Sequence, residues 1–429
     1  MAAPALDIWL HGELVAGVSE RRTGKLQLRY TDAAMDRWTV GRPLLSVSMP
    51  LAPSVYPPGV VGPFLEGLLP EGDARVVLEE QYDVRRGDVA GLLAHIGRDC
   101  AGAVIVMPTG EPPPPRTESA EPLDDVAIAG MLRALPDRPL GDDAEVRVSL
   151  AGQQSKLLLA RRSDGSWARP LGSTPSTHIL KPAGQRYPHA AANEVLCLQL
   201  ARELGLTDIH AQLLEIDGIP VVAVSRYDRR VRGGRTERLH QEDACQALAV
   251  DVGPRGAGKY QAGGGPTFAD IARVLDVHNG DPAQTGRLAE VAAFTVAVGN
   301  ADAHGKNLSL LLPPNGRVTL APLYDVMSTV HYPSVDGPLG AVRVSTELAM
   351  FVNGKRDIDA VDVADLRAEA NTWHFSDDTD ERVDGLLERF DEALQAAAGA
   401  VPQAPGRLVE RLQTRAARLR RGAPAGDVA

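Results

Sequence analysis

The stretch LAEVAAFTVAVGNADAHGKN, residues 288–307, constrains this chain more than any other. Its first half reads as a long apolar helix, and Gly299-Asn300 marks where that helix stops. The polar residues that follow therefore lie in a loop at the helix end. The next segment, NLSLLLPPNGRVTLAPLYD, reads as a hairpin that brings Asn307 and Asp325 to adjacent ends of two antiparallel strands.

The rest of the chain supplies the frame for that loop. LDIWLHGELVAGVS turns at His11-Gly12-Glu13, KLQLRYT and LLSVSMPL read as strands, and AGAVIVMP closes the first hundred residues. Residues 61–96 are helical, with breaks at Pro70-Glu71-Gly72-Asp73 and Arg86-Gly87-Asp88. TGEPPPPRTESAEPLDD is a Pro-rich polar linker, followed by a short helix over 126–135. From Glu145, VRVSLAGQQSKLLLARR and THILKPA are β-rich. AANEVLCLQLARELGL is an amphipathic helix, and AQLLEIDGIPVVAVSRYD is a hairpin through Asp217-Gly218. After Gln241 the chain is mostly helical. Strands first and helices after predict an α+β fold with two lobes rather than a doubly wound sheet. The expected boundaries are 1–108 for a β-rich N-terminal subdomain, 109–144 for linker and short helix, 145–400 for the main domain, and 401–429 for a basic C-terminal helix and tail.

Composition removes several classes. No run approaches 18 apolar residues, so no membrane span is expected, and no basic region precedes the apolar N-terminal residues as in a secretory leader. Three widely spaced cysteines, Cys100, Cys197 and Cys245, argue against a disulfide framework or zinc knuckle and for a reducing, cytoplasmic setting. The net charge of −11 argues against a nucleic-acid binder by overall field. Of the 45 basic residues only Lys25, Lys156, Lys181, Lys259, Lys306 and Lys355 are lysine. Where Arg serves for generic surface charge, a retained Lys marks sites that need a compact ammonium.

Asp302, then Asn307 five residues on, then Asp325 beyond a hairpin, is a phosphoryl-transfer layout. The first Asp orients or deprotonates an attacking hydroxyl. The Asn and second Asp supply hard oxygen ligands to Mg²⁺, which bridges nucleotide phosphates. Alone, Asp302 or Asn307 reads as a turn cap; the three together outweigh that reading. Lys306 adds positive charge near the transferring phosphate. His304 either holds the loop or touches phosphate, and Tyr324 packs to fix Asp325. Ser149-Leu150-Ala151-Gly152-Gln153-Gln154-Ser155-Lys156 is a small turn between β runs that could drape N–H groups over phosphates. Lys181, at a strand end before a helix bearing Glu194, resembles the Lys–Glu pair of kinase small lobes, and whether the two pair is open. Gly253-Pro-Arg-Gly-Ala-Gly258-Lys259 fits GxxxxGK, but Tyr260 stands where a P-loop needs Ser or Thr, so a structural loop is expected.

In order along the chain, SLAGQQSK, THILKP, the NE of the next helix, VSRYDR, RLHQEDACQAL, KYQAGGGP, GNADAHGKN and APLYDVMS resemble the HipA-like serine/threonine kinase toxins of bacterial toxin–antitoxin systems. The resemblance runs along nearly the whole chain, with GNADAHGKN and APLYD its specific part. It implies a two-lobed protein-kinase-like fold with an added N-terminal subdomain, and ATP and Mg²⁺ as cofactors. Asp302 would be catalytic, and Asn307 and Asp325 the metal ligands. Ala151, Gly152, Gln153, Gln154, Ser155 and Lys156 would form the phosphate loop, and Lys181 would hold the phosphates. Ser225, Arg226 and Tyr227 would form the adenine hinge, with His304, Gly305, Lys306 and Tyr324 completing the nucleotide site. Ser149 matches the serine such kinases autophosphorylate; a phosphate there adds about −1.5 to −2 charges and would silence the enzyme. Ser225 departs from an often acidic hinge residue, Gln153 from a usually small one, and Ala244 from a common aromatic.

The function so implied is an ATP-dependent protein-serine kinase that arrests growth by phosphorylating a translation component, of which an aminoacyl-tRNA synthetase is the leading class. A small helix-turn-helix antitoxin would restrain it, and DNA would be met mainly through that partner. The arginine face of the tail (Arg407, Arg411, Arg415, Arg418) reads as a solvated helix surface, with a DNA contact as the second reading. Two other classes fit the residues: an idle kinase fold acting as co-repressor, and a small-molecule kinase.

Overall fold

The computed structural model describes residues 5–21, 24–112, 118–135, 156–184, 187–253, 256–337, 340–373 and 378–426. The chain forms two compact units. One holds Met1–Pro182, Leu214–Gly256 and Leu310–Arg317; the other holds Ala183–Leu213, Ala257–Ser309 and Val318–Ala429.

Among the described residues, the first unit holds the two largest sheets. A four-stranded antiparallel sheet runs in the order Leu26–Tyr30, Glu13–Glu20, Leu6–Leu10, Val104–Pro108. Its first hairpin turns where expected: His11 (φ 52°) and Gly12 (φ 81°) both take positive φ and Leu10 pairs with Glu13, a tight turn that suits strand twist. The helices Pro58–Glu66, Gly72–Gln81 and Val89–Ile96 follow, and Phe64, Leu65, Leu92, Leu93 and Ile96 are buried with Leu6, Ile8 and Val106 in one core.

The stretch LLSVSMPL does not form the expected strand. It is a buried turn closed by a Ser46–Met49 bridge, and the Tyr30 hydroxyl donates to the Met49 carbonyl at 2.6 Å. Its main chain is satisfied by side chains rather than by a ladder, which apolar alternation does not reveal.

The second sheet has six strands in the order Ala120–Leu123, Trp167–Pro170, Leu157–Arg161, His178–Pro182, Ile219–Ser225 and, at its edge, Ala211–Ile216. Helix Asp125–Ala134 covers it through Ile128 and Leu132, packed with Leu157, Leu159, Leu180 and Val221. The end of the Pro-rich stretch is thus an edge strand rather than tether. An edge position tolerates Pro122, which has no N–H to give.

These two sheets are joined through residues 240–246. His240 Nε2 lies 2.8 Å from the Leu45 carbonyl, Glu242 Oε1 accepts from Val47 N–H at 2.7 Å, and Gln246 Nε2 donates to the Phe64 carbonyl at 2.8 Å. Burial drives His240 down to about 4, so at neutral pH its ring is uncharged. Burial likewise pushes Glu242 up to about 8, against the hydrogen bonds from Ser46 and Val47 that favour its ionised form.

The second unit is mainly helical. Thr379–Ala400 packs against Pro282–Val298, Ala190–Glu203 and Gly406–Arg420. The tail helix is not a solvated surface. Leu408, Leu412, Leu419 and Arg415 are buried. Arg411 donates to the Val330 carbonyl, Arg418 to that of Pro424, and Arg420 to that of Leu387. These guanidiniums reach main-chain carbonyls, so at Arg411, Arg415 and Arg418 the arginine face is structural, while Arg407 is exposed.

Candidate active site

The loop at 299–307 is built by the helix before it. Asp281 caps helix Pro282–Val298 by accepting from Ala283 N–H at 2.9 Å, and Pro282 opens it. The helix ends at Gly299, φ 69°, a left-handed C-cap; Asn300 N–H returns to the Thr295 carbonyl at 2.9 Å. Only glycine fits here, because an added Cβ would also lie 2.2 Å from Val330 Cγ2. Arg415 Nη2 donates to the Val296 carbonyl at 3.0 Å, serving a carbonyl of the helix's last turn.

Beyond the cap, the loop is held from several sides. Ala301 N–H donates to Thr329 Oγ1 and the Ala301 carbonyl accepts from Ala349 N–H, both at 2.9 Å. Gly305 N–H donates to the Lys259 carbonyl at 3.0 Å. The Asp302 carbonyl accepts from His304 N–H at 2.8 Å and from Asn307 Nδ2 at 3.3 Å. Ala301, Ala303, His304 and Lys306 are buried while the Asp302 side chain is exposed, so the loop presents one carboxylate on a buried footing.

The expected hairpin is present: Ala321 N–H donates to the Ser309 carbonyl at 2.8 Å. The Tyr324 hydroxyl donates to the Lys306 carbonyl and meets Ser309 Oγ, each at 2.6 Å, so the tyrosine ties the second strand's end to the loop. Asp325 follows with φ 53°, a left-handed conformation that Asp tolerates better than most residues. Asp302, Asn307 and Asp325 thus belong to one loop-and-hairpin assembly.

Of the GxxxxGK match at Gly253–Lys259, residues 254 and 255 lie outside the described residues, and its end runs into two short turns. Ala257–Lys259 and Gln261–Gly263 are single 3₁₀ turns packed on each other, and added Cβ atoms at Gly263 and Gly265 would approach main-chain oxygens at 2.2 and 2.6 Å. Between the turns, the Tyr260 hydroxyl donates to Asp302 Oδ1 at 2.8 Å, and its ring meets His304 edge-on with centroids 5.3 Å apart. Sequence reasoning passed over Tyr260, because nothing in local spacing links residues 42 positions apart.

In the first unit, Lys181 is buried on strand His178–Pro182 opposite Val222, and Ser225 lies opposite His178 on the same strand pair. Lys156, also buried, immediately precedes strand Leu157–Arg161. Ser149 and the turn residues Ala151, Gly152, Gln153, Gln154 and Ser155 lie outside the described residues. Tyr227 donates through its hydroxyl to Gln241 Oε1 at 2.9 Å.

Arg226 turns inward: Nη2 donates to Asp228 Oδ2 at 2.8 Å and Nη1 to Ser176 Oγ at 2.9 Å. Asp99 anchors the same cluster, accepting from Arg229 Nη2 at 2.8 Å and Arg238 Nη1 at 2.6 Å. Burial alone would raise the Asp99 carboxyl, but the guanidiniums of Arg238, Arg229 and Arg226 outweigh it and hold the group well below the usual carboxylate range. The Arg226 side chain is thus committed to this buried cluster, and its main-chain N–H to the Thr177 carbonyl at 2.9 Å.

The fold, with its β-rich first unit, mainly helical second unit and Asp–Asn–Asp loop and hairpin, is that of a protein-kinase-like protein with an added N-terminal subdomain. The HipA chain in the solved Shewanella oneidensis complex of HipA, HipB and operator DNA superposes with a TM-score of 0.78 at 24% identity, covering 97% of this chain and 99% of that one. The HipA N-terminal domain model matches residues 6–107 and the HipA-like C-terminal domain model matches 148–402, so the chain belongs to the HipA-like family. It is 37% identical to the putative kinase Y4mE of Sinorhizobium fredii over 357 residues, 82% of this chain and 83% of that one. It is 28% identical to the serine/threonine-protein kinase toxin HipA of Shewanella oneidensis over 337 residues, 74% of each. Among the described residues, no helix is long and apolar enough to cross a membrane, and the three cysteines are buried and form no disulfide.

Proposed function

We propose that this protein is an ATP-dependent protein-serine kinase and the toxin of a toxin–antitoxin pair. The observation that carries the reading is the exposed Asp302 carboxylate on a rigid loop, with Asn307 and Asp325 on the same loop-and-hairpin assembly. Asp302 orients the substrate hydroxyl and accepts its proton as the hydroxyl oxygen attacks the γ-phosphorus of ATP and the bond to the β-phosphate oxygen breaks.

The donor set fits Mg²⁺. Asn307 uses its Nδ2 on the Asp302 carbonyl, which leaves Oδ1 as the end for a cation, and Asp325 adds an exposed carboxylate. An ion held by these two side chains would take its remaining oxygens from phosphates and water. Bound there, Mg²⁺ would neutralise charge on the phosphates. Lys181 and the turn over Ala151–Lys156 hold the nucleotide, with Ser225, Arg226 and Tyr227 at the adenine edge and His304, Gly305, Lys306 and Tyr324 supporting the phosphate side.

The serine/threonine-protein kinase toxin among the relatives supports a protein substrate; a translation component, with an aminoacyl-tRNA synthetase as the leading class, is the part of this reading that rests on the family resemblance alone. A small helix-turn-helix antitoxin restrains the kinase and carries most of the DNA contact, in a reducing cytoplasm. Autophosphorylation at Ser149 silences it.

The test is to incubate the purified chain with Mg²⁺ and ATP and map phosphate by mass spectrometry, beside Asp302→Ala. Phosphate on Ser149 in the parent and absent from the variant is expected. ATP binding without phosphate anywhere would sink the protein-kinase reading.

A further inference from the structure

The hairpin Arg229–Arg232 and Arg235–Arg238 takes no part in the chemistry above. Its register pairs Arg229 with Arg238, Arg230 with Glu237, Val231 with Thr236 and Arg232 with Arg235. Strand alternation therefore divides it into two faces. Arg229, Val231, Thr236 and Arg238 lie on one; Arg229 and Arg238 root the base of the hairpin on the buried Asp99 carboxylate. Arg230, Arg232, Arg235 and Glu237 lie on the other, and all four are exposed. Among the described residues none of these three arginines has an ion pair or side-chain hydrogen bond, and neither has Glu237. Glu237 shares that face, and Glu118 accepts from Thr236 N–H at 2.7 Å.

We propose that this hairpin is an arm that docks on the phosphate backbone of duplex DNA. Arg232 and Arg235 face each other directly, and like charges in a cross-strand pair destabilise a sheet unless an anion sits between them. Arg230 lies two residues along the same face, roughly 6.6 Å away at strand rise. The charges thus form a row, which matches an evenly charged polymer better than a single carboxylate.

The tip is slender: Gly233 and Gly234, φ 57° and 76°, make the two-residue turn, and an added Cβ at either would meet nothing within 4 Å. A two-stranded ribbon of this kind enters the B-form major groove, about 12 Å wide, whereas the A-form RNA major groove is too narrow to admit it. The chain's net charge of −11 does not oppose this at moderate salt, because charges beyond about 10 Å are screened at 0.1 M. The arm acts independently of phosphoryl transfer.

The test uses the full chain and a fluorescein-labelled random-sequence duplex, with anisotropy read at several salt concentrations. The parent should bind with a log–log salt slope of about −2.7, three phosphates at about 0.9 each. The triple variant Arg230→Ser, Arg232→Ser, Arg235→Ser should lose at least about tenfold in affinity, taking roughly 1.4 kcal/mol as a factor of ten, with an unchanged thermal midpoint. Arg232→Ser alone should shallow the slope by about 0.9, so the result does not depend on one variant folding. No binding by the parent at low salt, equal binding by the triple variant, or arginine-dependent binding to polyglutamate in preference to the duplex would each overturn the proposal.

Discussion

The Tyr260 hydroxyl donates a 2.8 Å hydrogen bond to Oδ1 of Asp302, and the Lys259 carbonyl beside it accepts from Gly305 N–H at 3.0 Å. The segment around Tyr260 therefore grips the loop at both its carboxylate and its main chain. With Oδ1 engaged, the proposed mechanism leaves Oδ2 to meet the substrate hydroxyl.

Tyr260→Phe removes the hydroxyl that donates to Asp302, while the ring keeps its edge-on contact with His304. Hydrogen bonds to charged groups contribute about 1.5–3 kcal/mol, and exposure favours the lower end. Phosphoryl transfer should fall about tenfold in kcat with KM for ATP and the thermal midpoint unchanged. A kcat equal to the parent's would refute the positioning role.

Gly299→Ala should damage loop and fold together. The left-handed φ costs roughly 1–2 kcal/mol for an L side chain, and the clash with Val330 adds about 1–3 kcal/mol of overpacking. Urea denaturation should show a loss of about 2–5 kcal/mol on those terms, with activity lost as well.

Asp99→Asn leaves Arg226, Arg229 and Arg238 with Asp228 as the cluster's remaining carboxylate. Breaking a buried pair costs about 3–5 kcal/mol, so the variant should unfold at much lower urea. The carboxyl's folded pKa is depressed. Its contribution in the parent is present above the unfolded value of about 3.9 and is lost as pH falls through the folded one. In the variant this acid-dependent part of the stability curve should be absent.

Glu242 has the opposite sign. Its folded pKa is raised to about 8, so the folded state holds a proton that the unfolded state releases above about 4.3. Stability should fall as pH rises between those values, at up to about 1.4 kcal/mol per unit, and level off above the folded pKa. Glu242→Gln keeps an acceptor for Val47 N–H and cannot ionise. Urea midpoints at acidic and alkaline pH should converge in this variant and differ in the parent; equal slopes would contradict the assignment.

Where an element's partners lie close in sequence, the chain by itself was enough. The turn at His11-Gly12, the hairpin at Asp217-Gly218, the stop at Gly299 and the grouping of Asp302, Asn307 and Asp325 follow from φ preference, capping and strand spacing, all acting within one loop or hairpin. Where the partner is distant, only the tertiary structure decided. LLSVSMPL has strand-like alternation, yet its polar main chain is claimed by Tyr30 and Glu242. The tail arginines have the spacing of a solvated face, yet carbonyls on other elements take them in, Val296 lying 119 residues from Arg415. Tyr260 reads as a failed P-loop and instead supports Asp302. Periodicity reports which face of an element is apolar; it carries no record of which distant hydrogen-bonding group the folded chain will bring there.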